Sequence, residues 1–136
     1  MKICIVISNY YPKISSMLLK GAIVKLKKNK ITNAKIIKIN GTLEIPVVVS
    51  RIIRKFDGII VLGCVIKGKT KHFDLICLSV TQALLNLSIK NKKPIGNGIL
   101  PCFNLSQALE RSNPNKRDKG GETASAVLSV LKNSVK

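Results

Sequence analysis

The segment Gly58–Val65, GIIVLGCV, contains no charged or amide side chain and gives way to the basic loop Lys67–Lys71. An apolar run of this length fits a strand covered on both faces, and such strands belong to parallel sheets with helices on either side. Three more short runs recur along the chain, Ile3–Ser8, Ala34–Ile39 and Pro94–Leu100. Helical spacing fills the gaps between them. Met17, Leu18, Gly21, Ala22 and Leu26 follow a candidate N-cap at Ser15 or Ser16. Pro46 suits the first turn of a helix running to about Lys55. Phe73, Ile76, Cys77, Val80, Leu84 and Leu87 mark a long amphipathic helix. Asn104 with Gln107 three residues on has the form of a capping box for a short helix ending at Ser112. Asp118 caps a last helix bearing Ala124, Val127, Leu128 and Leu131. This alternation predicts right-handed crossovers and one α/β domain over residues 1–136, with its site beyond the carboxyl ends of the strands.

Composition narrows the function. The chain has 24 Lys+Arg against 6 Asp+Glu, a net charge of +18, which points first to a polyanion partner. A hydrophobic content of 46% excludes a disordered basic tail. The excess is almost all Lys, with Arg at 51, 54, 111 and 117, whereas base readout favours Arg. The lysines are scattered along the chain, so a basic nucleic-acid-binding module stands as the rival reading, and no specific nucleic-acid partner is expected. Cys4, Cys64, Cys77 and Cys102 lie far apart, without a CxxC pair and with one His in the chain. That spacing disfavours a zinc site and fits reduced core thiols of a cytoplasmic protein. The longest apolar run is too short to span a bilayer, and Ile3–Ile7 is too short for a signal peptide, so neither membrane nor secretion is expected.

The strand ends carry the candidate chemistry, and each residue there has two readings. Gly68-Lys69-Thr70 precedes the long helix, whose N-terminal amides suit an anion, although the spacing of a P-loop is absent. His72 is either a surface residue at a helix start or a general acid/base, since histidine titrates near working pH. Arg111 either pairs with a helix surface or clamps a phosphate. Tyr10 is either core packing or a stacking plate for a flat ring. Glu44, just ahead of Pro46, is either a favourable charge at a helix start or a site residue.

Several motifs, in order, resemble the lumazine synthase family. Leu62-Gly63-Cys64-Val65-Ile66-Lys67-Gly68-Lys69-Thr70-Lys71-His72-Phe73-Asp74 resembles its LGxVIRGxTxHxD segment. Asn40-Gly41-Thr42-Leu43-Glu44-Ile45-Pro46 is similar to its PGAxEIP loop. Gly98-Ile99-Leu100 followed by Gln107-Ala108-Leu109-Glu110-Arg111 resembles its GVLT…QAxxRA stretch. Asp118-Lys119-Gly120-Gly121-Glu122-Thr123-Ala124 resembles its NKGxEAA helix start, and Leu18-Leu19-Lys20-Gly21-Ala22 its first helix.

The resemblance implies a three-layer α/β sandwich, with a four-stranded parallel sheet in the flavodoxin-like order 2-1-3-4. It implies condensation of 5-amino-6-(D-ribitylamino)uracil with 3,4-dihydroxy-2-butanone 4-phosphate. The products are 6,7-dimethyl-8-ribityllumazine, phosphate and water, made without metal or redox cofactor. It places Tyr10 as the stacking plate and Thr42, Leu43 and Glu44 on the ring and ribityl chain. Cys64, Val65 and Ile66 would offer backbone groups to the pyrimidine edge. Lys69, Thr70 and Arg111 would bind the phosphate, and His72 would move protons. Asn97 stands where many members carry Phe, and Lys119 would reach a neighbouring subunit's ligand.

The sequence departs from the family pattern at Asn40, Leu43, Lys67, Lys69, Asn97 and Pro101, which leaves a catalytically weak lumazine- or flavin-binding member as a further alternative. Family assemblies are pentamers, or shells of twelve pentamers in which residues ahead of the first strand join a neighbour's sheet. Met1 stands almost on that strand, so the expectation is a homopentamer and not a 60-mer shell.

Overall fold

The computed structural model describes residues 1–69 and 71–133. Four strands form one parallel sheet in the order β2-β1-β3-β4: β1 Ile3–Ser8, β2 Lys35–Ile39, β3 Gly58–Ile66 and β4 Ile95–Cys102. Helices α1 Pro12–Lys28, α4 Leu105–Ser112 and α5 Lys119–Leu131 cover one face, and α2 Ile45–Ile52 and α3 His72–Asn91 cover the other. This is the expected three-layer sandwich. β3 is central and wholly apolar, and its alternate side chains feed both cores. Ile60, Leu62 and Cys64 join Leu18, Ala22 and Val127, while Ile59 and Val61 join Val49, Val80 and Leu84.

Tight helix packing depends on small residues. A Cβ on Gly120 would collide with the backbone carbonyl of Leu18, so only glycine lets α5 cross α1 at this distance. A Cβ on Gly96 in β4 would come within 2.7 Å of both Thr123 and Val127. β4 lies at the sheet edge, where Pro101 sits without breaking an inner ladder.

Several boundaries differ from the sequence reading. Neither Ser15 nor Ser16 caps α1, because Pro12 starts the helix one turn earlier and Tyr11 takes the cap position. Ser15 is buried, and its hydroxyl donates to the Ser8 carbonyl at 2.7 Å, tying the helix to the end of β1. β2 starts at Lys35 and β4 runs from Ile95 to Cys102. The caps at the other end of the chain form as expected. Asn104 Oδ1 accepts the Gln107 N–H at 2.8 Å, and Asp118 Oδ1 accepts the Gly121 N–H at 3.2 Å.

α3 departs most from a simple amphipathic helix. Val80 and Leu84 pack on the sheet, but Leu75, Leu78, Leu85 and Ile89 face outward, each at least 58% exposed. At 20 residues, with a mean hydropathy of 1.3, α3 is long and apolar enough to cross a bilayer. Its inner face, however, builds one core of the sandwich, and this ties it to the sheet.

Candidate active site

The candidate residues line two separate clefts, which share no lining residue. The first, about 350 Å³, lies between the ends of β1 and β3. β1 delivers Tyr10 and Tyr11, whose rings meet edge to face at 4.9 Å between centroids. Tyr10 is 69% exposed and therefore is not core packing. The Asn9 N–H donates to the Ile39 carbonyl at 2.8 Å, holding this corner against the loop after β2. That loop supplies Thr42, Leu43 and Glu44 in a short 3₁₀ turn running into α2. Thr42 is buried, and Gly63 beneath it leaves room for Ser8 and Thr42 to close over β3. Gly41 lets the Glu44 carboxylate fold back, since a Cβ there would lie 3.0 Å from Glu44 Oε1. The end of β3 contributes Cys64, Val65 and Ile66, and the start of α3 contributes His72 and Ile76.

Burial pushes the Cys64 thiol up to about 12, with Cys102 and Cys77 adding to the effect. A thiol so protonated is not a nucleophile at neutral pH. Cys64 therefore lines the cleft as a neutral wall. Burial also raises Tyr11, helped by Tyr10 and Cys64, so its phenol stays a hydrogen-bond donor.

The second cleft, about 300 Å³, runs along the outer edge of β4. Asn97, Arg111 and Lys119 all line it. Arg111 Nη1 donates to the Pro101 carbonyl at 3.2 Å and contacts Cys102 Sγ at 3.9 Å, so the guanidinium is anchored to β4. Lys119 Nζ pairs with Glu122 at 3.1 Å. Asn97 is turned onto its own fold: its amide donates to Thr81 Oγ1 and its oxygen accepts the Ile99 N–H, both at 3.2 Å. The asparagine thus satisfies its amide between β4 and α3.

The structure therefore brings Tyr10, Thr42, Leu43, Glu44, Cys64, Val65, Ile66 and His72 together. It places Asn97, Arg111 and Lys119 elsewhere. Lys69 is exposed and lines neither cleft, and Thr70 lies outside the described residues. Lys67 is drawn away from the first cleft, its Nζ 5.4 Å over the Phe103 ring. Sequence reasoning missed Tyr11 and Arg117, which line the first and second clefts respectively. Tyr11 was signalled by its place beside Tyr10 at a strand end. Arg117 had no local signal, because its proximity to Arg111 arises only when the loop after α4 folds back.

Comparison with known proteins agrees with this architecture. The family model of 6,7-dimethyl-8-ribityllumazine synthase matches residues 1–134. A 6,7-dimethyl-8-ribityllumazine synthase of Mycolicibacterium gilvum is 39% identical over 130 residues, covering 94% of this chain and 82% of the relative. One of Methylocella silvestris is 37% identical over 133 residues, covering 93% and 80%. One of Limosilactobacillus reuteri is 35% identical over 132 residues, covering 96% and 87%. With its whole sandwich and its two clefts inside that match, the chain belongs to the 6,7-dimethyl-8-ribityllumazine synthase family, transferases of riboflavin biosynthesis.

Proposed function

We propose that this chain makes lumazine at a site shared by two copies, the first cleft of one subunit facing the second cleft of its neighbour. The observation that carries the reading is the division of labour between the clefts. The stacking ring and the histidine lie in one, and the cations suited to a phosphate ester lie in the other. A heterologous contact around a ring pairs unlike surfaces in this way. The outward apolar face of α3 supports such a ring, since Leu75, Leu78, Leu85 and Ile89 need a partner to leave water.

In this reading Tyr10 stacks on the pyrimidine, and the backbone of Cys64–Ile66 pairs with its polar edge. Thr42, Leu43 and Glu44 hold the ring and ribityl chain. Lys69 and Thr70 approach the butanone phosphate from one subunit, Arg111 from the next, and Lys119 extends the same cationic side. The 5-amino group attacks the ketone and a first water leaves as the imine forms; phosphate is then eliminated, and the ribityl-bearing nitrogen closes on the carbonyl so generated with loss of a second water. His72 takes up and returns the protons these steps move. Holding two substrates in register supplies much of the rate. No metal or redox group is required by this sequence of steps. The assembly is a cytoplasmic homopentamer, distinct from a 60-mer shell.

Mixing both substrates with the protein and following lumazine absorbance tests the activity. A rate clearly above the uncatalysed condensation is expected, and no rate above it would overturn the reading. Light scattering should find five copies of 14.9 kDa, about 75 kDa. A megadalton particle would contradict the pentamer.

A further inference from the structure

About half of the basic residues that look scattered in sequence lie at one edge of the fold, where carboxylates are scarce. In a parallel sheet flanked by antiparallel helices, every major helix ends at the amino edge of the strands, opposite the first cleft. α1 ends there with Lys25, Lys27 and Lys28, and Lys30 follows. The 3₁₀ turn after α2 ends in Arg54 and Lys55. α3 ends with Lys90 and is capped by Lys92. Lys2 and Lys35 stand at the starts of β1 and β2. These ends are tied together: the Asp57 N–H donates to the Lys2 carbonyl at 2.8 Å, and Lys93 Nζ donates to the Ile53 and Arg54 carbonyls at 3.1 and 3.2 Å.

The acids lie elsewhere. Glu44, Asp74, Glu110, Asp118 and Glu122 sit at the carboxyl edge, and Asp57 is the one carboxylate at the amino edge. Among the described residues, no cation of the amino edge lies within ion-pairing distance of a carboxylate. Helix dipoles favour cations in a last turn, but they do not explain Lys2, Lys30 and Lys35, which lie outside the helices.

The chemistry of the edge selects the partner. Most of its cations are compact ammonium groups, which attract phosphates as point charges without reading base edges. The connecting loops carry charge without an apolar wedge: Ile31 and Phe56 pack inward on the two cores. That disfavours insertion into a bilayer. We propose that the amino edge binds the phosphate backbone of nucleic acid without regard to base sequence, as a function separate from lumazine synthesis.

Anisotropy of a labelled duplex of about 30 base pairs and arbitrary sequence, titrated with the assembled protein, tests this. The wild type should bind with affinity falling steeply as salt rises. A variant at the edge, K27Q/K28Q/R54Q/K55Q, should bind at least ~10-fold more weakly, with a shallower dependence on salt. The control K13Q/K20Q/K38Q/K116Q has the same net charge but is altered nearer the other edge. Because screening acts over about 10 Å at 0.1 M salt, it should stay within about twofold of wild type. Both variants should form lumazine at the wild-type rate, which shows that they fold. Equal weakening in both would show diffuse attraction and overturn the proposal. So would a wild type that binds phosphatidylserine vesicles but not the duplex.

Discussion

The two clefts of this chain solve opposite physical problems with the same sheet. The first is built where two strand ends and a helix start converge, and it is aromatic and largely uncharged, with a protonated thiol in its wall. The second runs along a strand edge and gathers Arg111, Arg117 and Lys119 against a single carboxylate, Glu122. A flat, weakly charged ring gains from stacking and backbone hydrogen bonds, whereas a phosphate ester gains from anchored cations. Placing both in one pocket would set a strong positive field beside the ring-binding groups. In the proposed shared site, splitting them between two surfaces lets each be optimised, and a partner subunit completes the site.

The comparison predicts unequal losses. Arg111→Ala removes an anchored guanidinium and should lower kcat/KM by ~10²-fold, chiefly by raising KM for the butanone phosphate. An unchanged KM for that substrate would remove Arg111 from the phosphate site. His72→Ala should cost about 10-fold in kcat, at or below the low end for general acid–base groups, because proximity carries so much of the rate. Complete loss of activity with binding intact would mean that the proton steps dominate.

A further effect, read in stability instead of rate, concerns the Cys64 thiol. It is held at about 12 in the folded chain against 9.0 for an ordinary thiol, so it releases its proton more readily on unfolding. The folded form therefore holds more protons above pH 9, and stability should decline as pH rises from about 9 towards about 12. Thermal midpoints of wild type and Cys64→Ala over that range measure it. The variant should show the shallower decline, and parallel curves would show that Cys64 is not the titrating group.

Much of this was legible in sequence because local chemistry dictates it. The polar-free run of β3 requires cover on both faces, and Asn104 with Gln107 and Asp118 before Gly121 satisfy helix-end amides within a few residues. The start of α1 was misread because Ser15 has the chemistry of a cap but uses its hydroxyl on Ser8, a contact between elements. The resemblance already implied that Lys119 reaches a neighbouring subunit's ligand, but the separation of His72 from Arg111 could not be read from spacing. His72 and Arg111 both sit in stretches resembling one family, yet the chain directs them to different surfaces. The basic amino edge was hidden for a similar reason: residues far apart in sequence share an edge wherever helices of one direction end.

The shared site is tested most directly by mixing two impaired proteins. His72→Ala subunits keep an intact second cleft, and Arg111→Ala subunits keep an intact first cleft. Unfolded and refolded together, they should regain activity at roughly a quarter of the wild-type sites, as random heterologous pairing in a ring requires. A mixture no more active than its separate components would show that each chain completes its own site and would contradict the account.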